Sequence, residues 1–319
     1  TTARPASGDP GERTYVGVAR ALHANLRQVF LGSQQAVTVA VVAALSGGHL
    51  LIEDVPGVGK TVLASSLAAS LGTGLSRVQG HSDLLPTDVT GVSTYSQDTS
   101  TWEFRPGPVF AHVLLVDELN RTPPRTQSAL LEAMEEAQVT VDGRSWALPR
   151  PHLVIATQNP VGQLGTYPLV ESQLDRFALA TSLGYPDVDA ETRLALRHGG
   201  REALGALRPV CSTAEWLQLV ATTRKVRVSP EIAGYAVALG RATREASPVR
   251  LGASPRASIT LVRSAQAHAL LYGRDFVAPG DVQAMAVPAL AHRLVAEGEP
   301  GAGVAIVGEL LRTTAAPRP

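Results

Sequence analysis

The chain has 319 residues, of which 45% are hydrophobic and 18% are charged. This composition excludes a mainly disordered chain, which would combine low hydrophobicity with high charge, and the length suffices for two domains. The 28 Lys and Arg residues equal the 28 Asp and Glu residues in number, so no net charge attracts nucleic acid or anionic lipid. The longest apolar run, 36–45, is about half a membrane span. We expect a cytoplasmic protein without membrane insertion.

A leader and an α/β region are predicted for the first 185 residues. Residues 1–14 are polar and rich in Gly and Pro, which predicts a flexible leader. From residue 15 to residue 185, apolar runs of strand length alternate with stretches of helical periodicity. The predicted strands are 49–53, 113–117 and 153–157, and the predicted helices are 34–46, 61–71 and 125–136. This alternation predicts a central parallel sheet flanked by helices, an α/β fold.

Two further segments of this region are predicted to form β-hairpins. Residues 92–104 alternate Val, Tyr, Trp and Phe around a polar tip, and residues 138–148 alternate apolar residues around an Asp-Gly turn. A solvated hairpin is marginally stable by itself. We therefore expect Tyr95, Trp102 and Trp146 to pack at the hairpin bases or against each other, which leaves the polar tips free for a partner.

The remaining residues, 186–319, predict a second, all-α domain. They are rich in Ala, Leu and Arg at helical spacing, and they have almost no strand-like runs. The predicted helices are 189–197, 214–225, 230–245, 255–272, 279–286 and 302–312. Pro255 and Pro279 mark two helix starts, because a proline at the first helical position loses no hydrogen bond.

The strongest local signal is a glycine-rich loop between the first predicted strand and a helix. Gly57 and Gly59 allow successive N–H groups to point at phosphate oxygens, and the following helix adds the positive end of its dipole. Lys60 would reach the β- and γ-phosphates of ATP, and the Thr61 hydroxyl would bind Mg²⁺. The residues predicted to contact the nucleotide here are Pro56, Gly57, Val58, Gly59, Lys60, Thr61 and Val62.

The loop departs from the usual phosphate-binding pattern at its first position. The pattern opens with Gly, and this chain has Asp54. A carboxylate at this position could lower the affinity for phosphate, or it could point outward. The alternative to a phosphate loop is a purely structural strand–helix turn.

The second signal is the predicted strand 113–117, which ends in the adjacent acids Asp117 and Glu118. Burying carboxylates without a partner is costly, and a magnesium ion would supply one. Asp117 would hold the ion through water, and Glu118 would activate the attacking water. By itself the pattern is also consistent with a strand that leaves the core at an acid, and the phosphate loop upstream favours the catalytic interpretation.

The third signal is Asn159, which follows the predicted strand 153–157. Its amide could orient the attacking water together with Glu118. A turn that ends the strand explains Asn-Pro equally well.

Together these motifs resemble the MoxR family of AAA+ ATPases, within the clade that has an insertion in its second helix. The most specific stretches are Asp-Glu-Leu-Asn-Arg at 117–121 and Thr-Gln-Ser-Ala-Leu-Leu-Glu-Ala-Met-Glu-Glu at 126–136. The other segments that carry the resemblance are 57–61, 83–88, 104–110, 156–160, 174–177 and 254–257. The likeness covers nearly the whole chain beyond the leader.

The resemblance implies roles that spacing alone does not. Arg176 resembles the arginine finger that reaches the γ-phosphate bound by a neighbouring subunit. Arg256 resembles the second sensor on the helical lid, and Asn159 resembles the first sensor. The segment that begins at Val29 and ends at Gly32 resembles the one that flanks the adenine. From the residues alone, Arg176 could instead pair with Asp175 or Glu171, and Arg256 could be an ordinary surface charge.

The resemblance also implies a function: an ATP-driven homo-oligomeric ring, hexameric in the family, that remodels or activates a protein client, in some cases one with a von Willebrand factor A domain. The alternative is a nucleic-acid or chelatase-type motor of the same clade. The hairpins offer few cations, only Arg105, Arg144 and the nearby Arg150. Backbone contacts to nucleic acid require several cations, which disfavours the motor. A third alternative, a small-molecule P-loop kinase, is disfavoured because a helical C-terminal lid with a sensor arginine fits a ring ATPase better.

Overall fold

A computed structural model of the protein describes residues 15–159, 165–196, 201–297 and 301–317. The predicted leader, residues 1–14, lies outside these ranges. In chain order the strands are β1 (Leu50–Glu53), β2 (Leu75–Gln79), β3 (Gly91–Ser96), β4 (Thr101–Pro106), β5 (Val113–Asp117), β6 (Gln138–Val141), β7 (Arg144–Ala147), β8 (Leu153–Gln158), β9 (Leu179–Thr181), β10 (Val249–Leu251) and β11 (Val295–Ala296). The helices are α1 (Tyr15–Val29), α2 (Gln34–Ser46), α3 (Lys60–Ser70), α4 (Pro86–Thr90), α5 (Pro124–Glu136), α6 (Glu171–Leu174), α7 (Val188–Leu196), α8 (Arg201–Ala206), α9 (Thr213–Thr223), α10 (Pro230–Glu245), α11 (Pro255–Leu271), α12 (Pro279–Leu290) and α13 (Ala302–Thr313).

Five strands form one parallel sheet in the order β2-β5-β8-β1-β9. The predicted parallel sheet is confirmed, and its three predicted strands are the central ones, β5, β8 and β1. The outer strands β2 and β9 were not predicted, because β2 is only partly buried and β9 has three residues. Since all five strands run the same way, their carboxyl ends share one edge of the sheet and their amino ends the opposite edge.

The helix α2 is apolar on all sides and lies inside the protein. Every residue from Ala36 to Ser46 is buried, and the helix packs against α1, α9, α11 and the sheet. Burial on every side explains why its sequence has no polar face. Among the helices of the described ranges, none has the length and apolar character needed to cross a bilayer.

Both predicted hairpins are present, formed by β3 with β4 and by β6 with β7. Tyr95 and Trp102 pack edge to face with ring centroids 5.6 Å apart, which confirms the expected contact between aromatic residues. Trp146 stacks instead on Phe104, with centroids 4.4 Å apart, and this contact joins the second hairpin to the base of the first. Trp102 nevertheless exposes 72% of its surface.

The second half of the chain is helical, as predicted. The helix α10 has the predicted bounds, and Ser212, Ser229 and Ser254 cap α9, α10 and α11 by accepting backbone N–H groups. The expectation of an all-α region omitted a small antiparallel pair, β10 with β11. These strands have three and two residues, too few for a periodic signal. One hydrophobic core runs without a break from the sheet and α2 into α9, α11 and α12.

Candidate active site

The predicted phosphate loop connects the carboxyl end of β1 to the start of α3. Gly57 and Gly59 have φ angles of 89° and 99°, a left-handed conformation that side chains rarely adopt, which explains both glycines. Lys60 is buried, and its Nζ donates a hydrogen bond to the carbonyl oxygen of Asp54. The loop therefore has the conformation and the cation that phosphate binding requires.

Electrostatics place the acidic pair beside this lysine. Burial lowers the pKa of Lys60, and the negative charges of Asp54, Asp117 and Glu118 oppose that shift. Because β1, β8 and β5 are parallel neighbours in the sheet, the loop after β1 and the acids at the end of β5 share one edge, and Lys60 and this acidic pair belong to one site.

Asp54, the departure from the usual loop pattern, is engaged by backbone N–H groups. Its Oδ2 accepts hydrogen bonds from the N–H groups of Leu183 (2.6 Å) and Gly184 (2.8 Å), and its Oδ1 accepts one from Val55 (2.8 Å). The carboxylate thus connects the phosphate loop to the segment that leaves β9 for the helical region. This geometry agrees with the interpretation in which the side chain points away from the phosphates.

We expect Asp54→Ala to lower the free energy of unfolding by about 1–3 kcal/mol, because a buried N–H group at Leu183 loses a charged acceptor. Urea unfolding without nucleotide measures this change. Asp98→Ala, which removes an exposed acid from the tip of the first hairpin, is the control and should leave the free energy of unfolding unchanged. Equal stability of the two variants would contradict the role of Asp54.

The segment predicted to flank the adenine packs against the phosphate loop. Val29 is the buried last residue of α1. A β-carbon on Gly32 would lie 2.6 Å from the ring of Phe30, and one on Gly59 would lie 3.2 Å from the same ring. A side chain on Gly32 would therefore displace the ring of Phe30, which lies between this segment and the loop.

The acidic pair lies at the carboxyl end of β5, next to β2 and β8. Asp117 is buried and accepts a hydrogen bond from Nε of Arg77 (2.7 Å). Glu118 has a φ angle of 55°, which costs about 1–3 kcal/mol for a residue other than glycine and is typical of functional sites. Its N–H group donates to Oγ1 of Thr157 (2.9 Å), so the neighbouring strand helps to hold this conformation.

The carboxylate of Glu118 is held by three hydrogen-bond donors. Its Oε1 accepts from Nδ2 of Asn159 (3.0 Å), and its Oε2 accepts from Arg121 (3.0 Å) and from Nε2 of Gln79 (3.1 Å). Burial raises the pKa of Glu118, but the hydrogen bonds from Asn159, Arg121 and Gln79 outweigh burial, so the pKa lies below its ordinary value. The group is ionised at neutral pH, as a proton acceptor must be.

Three polar residues of this edge were missed by sequence reasoning. Arg77 and Gln79 belong to β2, whose partly polar sequence gave no strand signal. Asn120 is buried, and its amide contacts the backbone of Asn159 through both its oxygen (3.4 Å) and its nitrogen (3.2 Å). Asn120 was visible only as part of the motif 117–121, where the resemblance assigned it no role.

The two arginines from the resemblance share one acceptor. Nε of Arg176 lies 3.2 Å from Oε2 of Glu135, and Nη2 of Arg256 lies 2.6 Å from Oε1 of the same carboxylate. Arg176 thus pairs with Glu135 and not with Asp175 or Glu171, and Arg256, whose side chain is half exposed, joins the same carboxylate. Asp175 is engaged by Arg293 (2.8 Å) and by the hydroxyl of Ser254 (3.1 Å), so it is not the partner of Arg176.

This arginine pair lies at the edge of the sheet opposite the phosphate loop. Arg176, Arg256 and Glu135 line a cavity of about 220 Å³ together with Gly48 and His49, which precede β1. The phosphate loop follows the other end of the same strand, and the four residues of β1 advance by about 10 Å. Of the predicted site residues, Lys60, Asp117, Glu118 and Asn159 come together in one subunit, and Arg176 and Arg256 lie apart from them.

A phosphate loop with its lysine, and an acidic pair at the carboxyl end of another strand of the same parallel sheet, define a P-loop ATPase. Residues 49–179 match the family described as ATPase family associated with various cellular activities, and residues 241–310 match the AAA lid domain. The chain is 45% identical to YeaC of Bacillus subtilis over 86% of each chain. It is 39% identical to the chaperone MoxR1 of Mycobacterium tuberculosis over 85% of this chain and 74% of MoxR1. The crystal structure of an ATPase candidate from Cytophaga hutchinsonii superimposes with a TM-score of 0.86 at 35% identity, covering 95% of this chain and 96% of that one. The chain belongs to the MoxR family of AAA+ ATPases, and it binds and hydrolyses ATP.

Proposed function

We propose that the protein assembles into a closed ring, hexameric as the family resemblance implies, and uses ATP hydrolysis to remodel or activate a partner protein. The observation that carries this proposal is the distance between the arginine pair and the phosphate loop of the same subunit. Arg176 and Arg256 are presented at the opposite edge of the sheet, where a neighbouring subunit would bring its own nucleotide. The active site is then complete only between two subunits.

Within that site, each group has a distinct task. Glu118 accepts a proton from the attacking water, and Asn159, which contacts Glu118, orients that water. Lys60 and the N–H groups of the loop hold the β- and γ-phosphates. Arg176 of one subunit stabilises the charge that develops on the γ-phosphate bound by the next subunit.

The residues at the loop fit a magnesium ion. Mg²⁺ prefers oxygen donors in an octahedral arrangement and keeps several of its waters. The Thr61 hydroxyl follows Lys60 directly, and the Asp117 carboxylate is near enough to act on the charge of that lysine. Asp117 would hold the ion through water, since Arg77 already engages its Oδ2. When bound, the ion neutralises charge on the phosphates.

We propose a functional division at about residue 185, with an ATPase core from 15 to 185 and a lid from 186 to 319. The lid supplies Arg256, and Asp54 contacts the connection between the two regions. We place the protein in the cytoplasm, the compartment that supplies ATP.

We expect weak ATP hydrolysis whose specific activity rises with protein concentration, because Arg176 completes the site of another subunit. The measurement is specific activity across a wide range of concentration, with the oligomeric state followed by light scattering. A constant specific activity over a range in which the protein is monomeric would contradict the proposal of a shared site.

The surface that contacts the client is proposed to lie on the two hairpins. The tip 97–100 is exposed, and Trp102 and Tyr95 beside it expose 72% and 52% of their surfaces. Large aromatic residues at an exposed tip suit contact with apolar segments of a protein. A chaperone relative supports a protein client, and a client with a von Willebrand factor A domain is proposed from the family resemblance alone.

We expect that replacing residues 97–100 with an Asn-Gly turn abolishes most client protection and leaves ATP hydrolysis intact. The two-residue turn preserves the pairing of Ser96 with Thr101. Client protection is measured as suppressed aggregation of heat-denatured citrate synthase. Trp102→Ser should act in the same direction, whereas the control Tyr185→Ser, which changes an aromatic residue with 79% exposure outside the hairpins, should not. Loss of the ring with retained client protection would instead identify the hairpin as a subunit contact.

The alternative of a nucleic-acid or chelatase-type motor has weaker support from these surfaces. Exposed aromatic residues can stack on bases, but binding of single strands also needs a positively charged groove. The first hairpin carries Asp98 and Glu103 against Arg105, which gives no excess of positive charge along it.

A further inference from the structure

One carboxylate, that of Glu135, joins the arginine of the core to the arginine of the lid. Arg176 lies just before β9, and Arg256 lies in the first turn of α11. Their contacts with the two oxygens of Glu135 measure 3.2 Å and 2.6 Å. Glu135 contacts Arg176 through Nε. The two terminal Nη groups of that guanidinium can therefore donate to a different acceptor. The arrangement holds the arginine through the Nε side of its guanidinium, and the edge formed by the two Nη groups can still bind phosphate bidentately.

Glu135 itself is held in place by the last turn of α5. Nε2 of His49 donates to the carbonyl oxygen of Met134 (3.1 Å), one of the carbonyl groups that a helix end leaves unpaired, and Nδ1 accepts from the N–H group of Val154 (3.0 Å). Burial, together with the neighbouring His152, lowers the pKa of His49 to about 4. The ring is thus neutral at physiological pH and keeps both hydrogen bonds. The helix end that carries Glu135 is fixed to the amino edge of the sheet.

Charge explains why a carboxylate is needed at this position. Two guanidinium groups that converge on one cavity repel each other, and Arg263 and Arg293 line the same cavity. Asp175 is already engaged by Arg293. Glu135 is therefore the acid that lets Arg176 and Arg256 lie side by side, and the hydrogen bond from Arg256 lowers the pKa of Glu135 against the effect of burial.

We propose that Glu135 is a positioning residue that holds Arg176 and Arg256 as one unit, so that both are presented together to the nucleotide of the neighbouring subunit. This inference rests on the proposed function, in which the arginines act across a subunit boundary. Glu135 does not contact the nucleotide. It acts on the neighbour's site through the two arginines, and it makes their placement depend on the position of the lid.

The first test is kinetic. Glu135→Gln removes the charge with little change of shape, and we expect kcat to fall about 10- to 100-fold, because small misplacements of a catalytic group have effects of this size. Nucleotide affinity should change less than about twofold, since the phosphate loop lies at the other edge of the sheet. Glu135→Asp, which keeps the charge on a shorter side chain, should give an intermediate kcat. Glu136→Gln, the exposed next residue, is the matched control. An unchanged or raised kcat in Glu135→Gln would overturn the proposal.

The second test uses mixed rings, isolated through two different affinity tags. A Glu118→Gln subunit cannot hydrolyse its own ATP but carries intact arginines, and a Glu135→Gln subunit has the reverse defect. We expect mixed rings to hydrolyse ATP several times faster than either variant alone. Rings that pair Glu118→Gln with Arg176→Ala test the shared site itself.

The mixed rings distinguish a failure of the proposed role of Glu135 from a failure of the shared active site. If Arg176→Ala is rescued by Glu118→Gln subunits and Glu135→Gln is not, then Glu135 acts within its own subunit, so the inference is wrong and the shared site stands. If neither variant is rescued, the shared site fails, and the inference fails with it. Rescue of both variants supports the inference in a way that a merely structural salt bridge would not produce.

Discussion

Replacing Glu118 with Gln should lower the rate of ATP hydrolysis about 10²- to 10⁴-fold and leave ATP binding unchanged. The amide has the volume of the carboxylate, but it cannot accept a proton from water. It also places an amino group toward Arg121 and Gln79, or toward Asn159, all of which now donate to the carboxylate. Arg121 and Gln79 are exposed and Asn159 follows β8, so the loss of these hydrogen bonds should not disturb the phosphate loop.

The contrast with Lys60 makes this result specific. Lys60→Ala should weaken ATP binding itself, because it removes the cation of the loop. Lys225→Ala, which changes the other lysine of the chain and an exposed one, should have no effect on either quantity. ATP affinity measured by calorimetry, beside single-turnover hydrolysis, separates the two steps. Equal losses of binding in Glu118→Gln and Lys60→Ala would show that Glu118 is not the base.

Replacing Arg176 with Ala should lower kcat about 10³-fold, the lower end of the range for arginine fingers. ATP binding to the isolated subunit should not change, because Arg176 lies with Gly48 and His49 at the amino edge of the sheet. The variant also leaves Glu135 with only Arg256 as a partner. Part of the loss is therefore expected to reflect a displaced Arg256.

The control for this prediction is Arg125→Ala, an exposed arginine at the start of α5, which should keep full activity. Steady-state hydrolysis and the affinity for a fluorescent ATP analogue are measured at protein concentrations that favour the assembled ring. A loss of nucleotide affinity in dilute, monomeric Arg176→Ala would mean that the arginine serves the nucleotide of its own subunit.

The central part of the fold was accessible from the sequence because its strands are buried on both faces. The strands β1, β5 and β8 lie in the middle of the sheet, so they are short continuous apolar runs. The edge strands β2 and β9 are half covered or very short, and the helix α1 was missed although its buried residues recur at helical spacing.

The site residues likewise divide into those that local sequence patterns predict and those that they do not. Asp117, Glu118 and Asn159 end or follow a predicted strand, Lys60 begins the helix after one, and parallel strands bring such ends together. Glu135 and Arg256 are 121 residues apart in the chain, and no local pattern connects them. The two arginines were proposed only through the family resemblance, and their common acceptor required the three-dimensional structure.

The uninterrupted core beneath the sheet has a consequence for how this protein can change. The helix α2 packs against α9 and α11 as well as against β9 of the sheet, and both α2 and α11 bury several alanines. Close-packed surfaces of this kind tolerate little change in volume on one side alone. A hybrid that joins this ATPase core to the lid of a relative would therefore need the relative's α2 as well. The two segments that must be exchanged together, α2 and the lid, are not contiguous in the chain.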